Sequence, residues 1–452
     1  MTSLATSLTA QFAQRICATT LDSLSADDIA IAKRLIADGI AVAVAGSAEH
    51  APQMFAEHVR EQGGVAQCPV WGFGFRSTPQ LAAYANAVSM HVLDFEPMSN
   101  PSTHAISPTV PVAFALAVRD GLDGRALLTA CAKGFEAQGR LLAAVDHRRE
   151  SSKFHAPGVV GPFGSATVAA HLLGLDAGQL THALAIAASR SGALRANIGH
   201  GVKCTHCGNA AAAGLDAALL AQRGLTACTD ILGHEDGFVA AFFPKGIDRE
   251  LLLGYGRPFR FREPGMAIKY FPSKFPTHFA IAAALDARQG IADPAAIRAV
   301  KLITPAMPDV DRPSPVSGLE GKFSFQYAAA CALLDGAVGI ASFHDARRFR
   351  ADIEALLPKI RVEVDAALPT VFSRMQVGIE VTLADGRVQR ATCARPPGFW
   401  GAPIDPVQHR AKVADCLAVR LDAPRAARVM ELLESLESLD AGAVRELSEL
   451  LE

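Results

Sequence analysis

Asn209-Ala210-Ala211-Ala212-Ala213-Gly214-Leu215-Asp216-Ala217-Ala218-Leu219-Leu220-Ala221-Gln222 is the stretch on which the architecture turns. Ala and Leu lead the scale of helix formers, so the run predicts a helix. Gly214 weakens the helix locally but, like the alanines, allows a neighbouring helix axis to come close. Working outward, the same reading applies to Val110–Val118, Gly124–Asp146, Gly164–Leu173 and Ala177–Ser189, joined by short Gly- and Asp-rich connections. No period repeats at a fixed length, so residues 108–223 read as a compact bundle rather than a solenoid. Upstream, residues 4–18 predict a first helix. Ser25-Ala26-Asp27-Asp28 is a capping box opening a second to about Val44, and Ala51–Glu61 predicts a third. Cys68 to Gly74 is Gly-broken and extended, a hairpin-like piece whose two glycines do not complete a phosphate-binding loop. Thr78-Pro79 then opens another helix through Val88.

The whole composition agrees with close-packed helices. Of 452 residues, 50% are apolar, 19% charged and only 6% aromatic, so the core has to be built from Ala, Leu, Val and Ile. A formal charge of -2, with both signs mixed along the chain, offers no broad basic surface for nucleic acid. Nine cysteines lack a paired framework, and the first residues lack a basic segment followed by an apolar run. The expectation is a cytoplasmic protein with reduced thiols. No apolar stretch reaches the ~20 residues a bilayer crossing needs. The high apolar content must be buried, and a homodimer is one way to bury it.

The pattern changes near Pro264-Gly265. Val377, Ile379, Val381 and Leu383 alternate with Gln376, Gly378, Glu380 and Thr382, and Ala384-Asp385-Gly386-Arg387 turns that strand into Val388–Cys393. Ile297–Thr304 predicts a further strand, and Pro276–Ala287 and Phe325–Leu334 predict helices. Helix returns at about Pro406. The chain is therefore read as mainly α: a helical domain over residues 1–266, an inserted α+β domain over 267–402, and a helical return segment over 403–452.

Chemistry concentrates in a few places. His91-Val92-Leu93-Asp94-Phe95-Glu96-Pro97 continues through Met98 to His104, gathering two imidazoles and two carboxylates at a helix end and the loop it feeds. His91 and Asp94, three apart, are expected on one helical face, and the two prolines force a loop from Glu96 to His104. Such a set suits proton transfer. Lys203 and Lys269 stand apart from acidic residues in sequence, available to pair with a substrate carboxylate. Cys204-Thr205-His206-Cys207 lacks the second ligand pair a structural zinc would need, so no metal is expected; His200 and His206 read as substrate-facing or helix-entry residues. Ser152 to Gly164 reads as a Gly/Pro-rich loop whose helix N-terminus, with His155 beside it, suits a carboxylate. Neither a Gly-x-Ser-x-Gly elbow nor a nucleotide loop is present.

Five blocks in order carry a resemblance: His91-x-x-Asp94-Phe95 to His104; Phe154-His155-x-x-Gly158; Lys203-x-x-His206-x-Gly208-Asn209; Ile268-Lys269-x-Phe271-Pro272; and Gly318-Leu319-Glu320-Gly321-Lys322-Phe323-Ser324-Phe325-Gln326-Tyr327. Together they resemble the MmgE/PrpD family. The resemblance implies a large all-helical domain with an inserted smaller α+β lid domain, a homodimer, and a cofactor-independent site. It also implies that Asp94, His104, Lys203, Lys269 and Tyr327 line the substrate site, where they are read as catalytic, and that His155 and His206 belong to adjoining motifs; these two, with His91, His200 and Lys274, are read as substrate-binding positions. In this reading His104 is the acid or base and Asp94 orients it or shares its proton.

The chain departs from the pattern at Asp94-Phe95-Glu96-Pro97-Met98, where family members have Asp-Phe-Asp-Asp-Thr, and at Lys274, where a His is expected. Arg190, Arg195 and His200 add polar groups at positions that are often neutral. Losing a hydroxyl removes a specific hydrogen bond and alters substrate preference. The expected activity is a lyase, dehydratase or decarboxylase, acting next to a carboxylate of a small di- or tricarboxylate. The alternatives are an epimerase or racemase of an iminodisuccinate-like dicarboxylate, to which Gly318–Ser324 is similar, and a non-catalytic anion-binding dimer.

Overall fold

The structure, a computed structural model, describes residues 7–146 and 153–452. Residues 4–6 of the expected first helix, and Ser152, lie outside them. The chain divides into two compact units. The first runs up to Val92, then covers Glu96–Ile268 and Pro403–Glu452; the second consists of Leu93–Phe95 and Lys269–Ala402.

The first unit begins with α1 (Leu8–Ala18), α2 (Ala26–Gly46) and α3 (His50–Gln62), followed by a hairpin of β1 (Cys68–Val70) and β2 (Phe75–Ser77) and then α4 (Pro79–Val92). The Ser25 hydroxyl and the Asp28 carboxylate cap α2 reciprocally, as expected of that box. Next come α5 (Val110–Asp120), α6 (Gly124–Asp146), α7 (Ala156–Leu172), α8 (Ala177–Ala188) and α9 (Thr205–Gln222), then two short helices, α10 (Phe238–Phe242) and α11 (Arg249–Leu253). Among the described residues, no helix is long and apolar enough to cross a membrane.

Helix α7 is buried on all sides except at His171, which marks it as the axial element of the bundle, packed by α5, α6, α8 and α9. Its start corrects an expectation: residues 156–163 are helix, not loop. Pro162 lies inside the helix and has no N–H to give to the Gly158 carbonyl four residues back. The Gly192 N–H takes that carbonyl instead, at 2.9 Å. A glycine is required at 158, because a Cβ there would stand 2.0 Å from the Gly192 carbonyl oxygen. At the α7–α9 crossing a Cβ on Gly214 would meet backbone atoms of Pro162 and Ala166 at 2.4 and 2.5 Å, so the glycine read from sequence is what lets these axes approach.

In the second unit, α12 (Phe275–Arg288), β3 (Ile297–Thr304), α13 (Gly318–Gly321), α14 (Phe325–Asp335), α15 (Asp345–Arg348), α16 (Ala351–Leu356), β4 (Ile360–Val364), β5 (Val377–Leu383) and β6 (Val388–Cys393) follow in order. The sheet order is β4-β3-β5-β6, with β3 and β4 parallel and the other pairs antiparallel. Edge strand β4 was absent from the sequence reading; it buries only Ile360. Helix α12 covers β5 and β6 and packs on α14. The chain then returns to the first unit as α17 (Pro406–Leu417), α18 (Ala423–Glu434) and α19 (Ala441–Leu450), of which α17 and α18 lie against α2 and α19 against α5. Lys412 of α17 places its ammonium 2.8 and 2.9 Å from the fully buried Asp38 carboxylate of α2, and His409 Nε2 is 3.1 Å away.

Candidate active site

Helix α4 ends at Val92, and Asp94 lies beyond it with φ of 52°, so His91 and Asp94 do not share a helical face as expected. A left-handed Asp is tolerated because its short polar side chain can bond locally. The polar groups on either side of this bend gather around a residue that was not among the expected site positions, Glu96. This carboxylate is fully buried, and its Oε1 receives the His91 Nδ1 at 2.5 Å and the Ser107 hydroxyl at 2.9 Å. His104 Nδ1 stands 3.0 Å from the same oxygen. Among the described residues, Glu96 Oε2 and His91 Nε2 are buried polar atoms with no hydrogen-bond partner.

Two more imidazoles adjoin this core in the first unit. His155, the N-cap residue of α7, is held by its backbone N–H on the Ala193 carbonyl, and its Nδ1 lies 3.0 Å from Nδ1 of His206 near the start of α9. The ring centroids of His91 and His104 are 4.4 Å apart, those of His91 and His155 5.8 Å, and those of His155 and His206 5.2 Å. Lys203, on the 3-10 turn leading into α9, is buried and its charge acts on His91, His155 and His206.

Burial, then the Lys203 charge, pushes His91 down to about 3 and His206 to about 4, and holds His155 well below the usual imidazole range. These rings are therefore neutral at physiological pH. Glu96 behaves oppositely: burial resists its ionisation, but His104 and His91 outweigh burial and hold the carboxyl well below its ordinary value. Both effects make the site acid-labile. The unfolded chain takes up protons on its histidines near 6.5 while the folded site refuses them until the pH is far lower, so stability rises with pH across that interval. A scan of Tm against pH should show a fall as the pH drops from about 6.5 toward 4; a flat profile there would contradict the neutral-imidazole assignment.

The donor atoms of His91, His104 and His155 all lie within 4.8 Å of one another, a set chemically able to ligate a divalent transition metal. The positive charge of Lys203 bearing on His91 and His155 opposes a second cation there and favours an anion.

The second unit holds its own polar core. Lys269, almost wholly buried, donates to the Asp94 carboxylate, to the Asp94 carbonyl at 2.9 Å and to the Ser273 carbonyl at 3.3 Å. Sequence distance from acidic residues thus misled: Lys269 is ion-paired with Asp94. Lys322, buried and not among the expected site positions, donates to the Leu93 carbonyl at 3.3 Å. His278 in α12 is also fully buried, with Nε2 3.2 Å from the Ser273 carbonyl. The Tyr327 hydroxyl donates to the Ser342 carbonyl, and burial raises its pKa far above the ordinary phenol value. Lys274, expected to bind substrate, instead lies 3.4 Å from Asp309 at the surface. His200 is exposed at the entry to the 3-10 turn, outside the buried imidazole group, and Arg190 pairs with Asp216.

Of the expected positions, the first unit therefore brings His91, His104, Lys203, His155 and His206 together around Glu96, and the second joins Asp94 to Lys269. Glu96 could have been suspected from its place between two histidines and directly before the first of two prolines. Its partners, however, come from α4, from the loop to His104 and from Ser107, which spacing alone does not bring together.

Residues 10–250 match the MmgE/PrpD N-terminal domain and residues 271–438 the MmgE/PrpD C-terminal domain. The chain is 31% identical to the cis-aconitate decarboxylases of Mus musculus and Homo sapiens, in each case over 96% of its own length and 91% or 92% of theirs. It is 24% identical to a cis-aconitate decarboxylase-like protein of Aspergillus oryzae over 92% of this chain and 91% of that one. With both domains matched in order and the likeness to those decarboxylases running nearly end to end, the chain belongs to the MmgE/PrpD family.

Proposed function

We propose that the protein is a lyase acting at a carbon next to a carboxylate of a small tricarboxylate, with decarboxylation as the leading reaction. The observation that carries this reading is the buried group of neutral imidazoles around one ionised carboxylate, with the Lys203 charge bearing on it. The Lys203 cation attracts an anion, and the neutral rings add no negative charge of their own beyond that of Glu96. The names of the mouse and human relatives favour decarboxylation over dehydration.

In a decarboxylation of this type, the bond to the departing carboxyl group breaks and its electron pair moves through the adjacent double bond toward the retained carboxylate. Lys203 stabilises the charge that develops there, and His104 as imidazolium returns a proton to carbon. Carbon dioxide leaves, and one proton is consumed. A dehydration would use the same imidazole on the departing hydroxyl, and an epimerisation would use it to reprotonate the carbon. The protein's own residues supply each part of this chemistry, and the reading includes no cofactor.

The test is incubation of the purified protein with cis-aconitate, citrate, 2-methylcitrate and an iminodisuccinate-type substrate in D₂O, followed by NMR. Carbon dioxide release with one deuteron placed on the product carbon is the expected result. A new alkene without carbon dioxide would move the assignment to a dehydratase, and deuterium uptake with inversion to an epimerase. Line broadening without turnover of any of the four would sink the enzymatic reading.

A further inference from the structure

We propose that Glu96 is the positioning residue of the site: through one oxygen, it fixes His104 with its proton on Nδ1 and steadies the imidazolium that forms during turnover. The inference rests on the reading of His104 as the acid or base, and replaces Asp94 in the orienting role with Glu96.

Three features of the geometry carry it. First, the contacts of the carboxylate fall on Oε1, which is hydrogen-bonded to His91 Nδ1 and the Ser107 hydroxyl and lies at an ion-pair distance of 3.0 Å from His104 Nδ1, while Oε2 has no partner among the described residues. An acceptor oxygen facing Nδ1 of each ring selects the Nδ1–H tautomer, which leaves the Nε2 lone pair of a neutral ring as the reactive one. Second, His91 does not neutralise Glu96. Burial and the Lys203 charge keep His91 uncharged, so it contributes a hydrogen bond and no charge, and the negative charge remains for His104. Third, Asp94 is grouped with the second unit, where its carboxylate is paired with the Lys269 ammonium.

Within the first unit, the charged and titratable groups around the pair include His91 from α4, His155 at the head of α7, His206 from α9 and Lys203 from the turn before it. His155 and His206 are neutral and Lys203 is positive, so Glu96 is the group among these that favours a proton on His104. During turnover the imidazolium gives its Nε2 proton to substrate carbon and returns to the Nδ1–H tautomer. The Nδ1 proton stays on the ring, and Glu96 is never protonated. The division of labour is that of a carboxylate that orients and stabilises a catalytic histidine without accepting its proton.

The experiment pairs a resting-state readout with a kinetic one. In ¹⁵N-labelled protein without substrate, the His104 and His91 rings should show the Nδ1–H tautomer, and Glu96→Gln should weaken that preference. Against the active substrate, Glu96→Gln should lower kcat by at least ~10-fold with KM changed less, within the range that positioned acid–base groups contribute. Glu96→Asp, which keeps the charge and withdraws it by one methylene, should retain more of kcat and more of the Nδ1–H preference than Glu96→Gln. A His104 ring with its proton on Nε2, or kcat unchanged in a folded Glu96→Gln protein, overturns the proposal. If no substrate is turned over, the tautomer measurement still decides the role of Glu96, so failure of this inference and failure of the lyase reading are told apart.

Discussion

Lys269→Met should destabilise the protein by about 3–5 kcal/mol, the usual consequence of removing one partner of a buried ion pair. The Lys269 ammonium is bonded to the carboxylate and carbonyl of Asp94 and to the Ser273 carbonyl, all well buried, so the substitution removes the counter-ion of a buried carboxylate together with a hydrogen bond to each of two carbonyls. The double variant Asp94→Asn with Lys269→Met should recover part of the loss, because the uncompensated charge is gone. Denaturant midpoints of the wild type, both single variants and the double variant measure the coupling. Additive effects would mean that the two residues are not energetically coupled, and a stable Lys269→Met protein that merely binds substrate poorly would restore the substrate-contact role expected from the sequence.

His104→Ala should leave the fold intact and lower kcat by at least ~10². The ring is buried beside Glu96 and His91, yet the imidazoles around it are neutral and have no proton to spare for the substrate carbon. The loss should appear in kcat and kcat/KM alike, since the proton moves only in the transition state. Turnover unchanged in His104→Ala, measured on the substrate that wild type consumes, would remove the residue from the mechanism and with it the reason for Glu96.

The helices were legible because their residues are strong local formers: α9, α6 and α8 follow from Ala and Leu content, and α2 from its capping box. Strands β3, β5 and β6 followed from β-branched content or alternation and a turn carrying Gly386 at φ of 85°. The start of α7 was hidden because Pro157, Gly158, Gly161 and Pro162 signal a loop by propensity. Tertiary contacts override that signal, with Gly192 satisfying the carbonyl that Pro162 leaves open. At the site, His91, His104, His155, Lys203 and His206 were recognisable as residue types and motifs. Which carboxylate served which histidine was not, because the end of α4 at Val92 and the left-handed Asp94 redirect the chain between the two acids. The resemblance assigned Asp94 to His104 and sequence distance left Lys269 unattached, whereas the fold pairs Asp94 with Lys269 and places Glu96 beside His104.

The tripeptide Leu93–Phe95 is grouped with the second unit although the residues on both sides of it are grouped with the first. The gene is thus not divisible into two cassettes at residues 269 and 402. A fragment expressed from that interval would lack the counter-ion of Lys269 and the carbonyl that Lys322 grips, and a chimaera that borrows the α+β segment from a relative must borrow these three upstream codons as well.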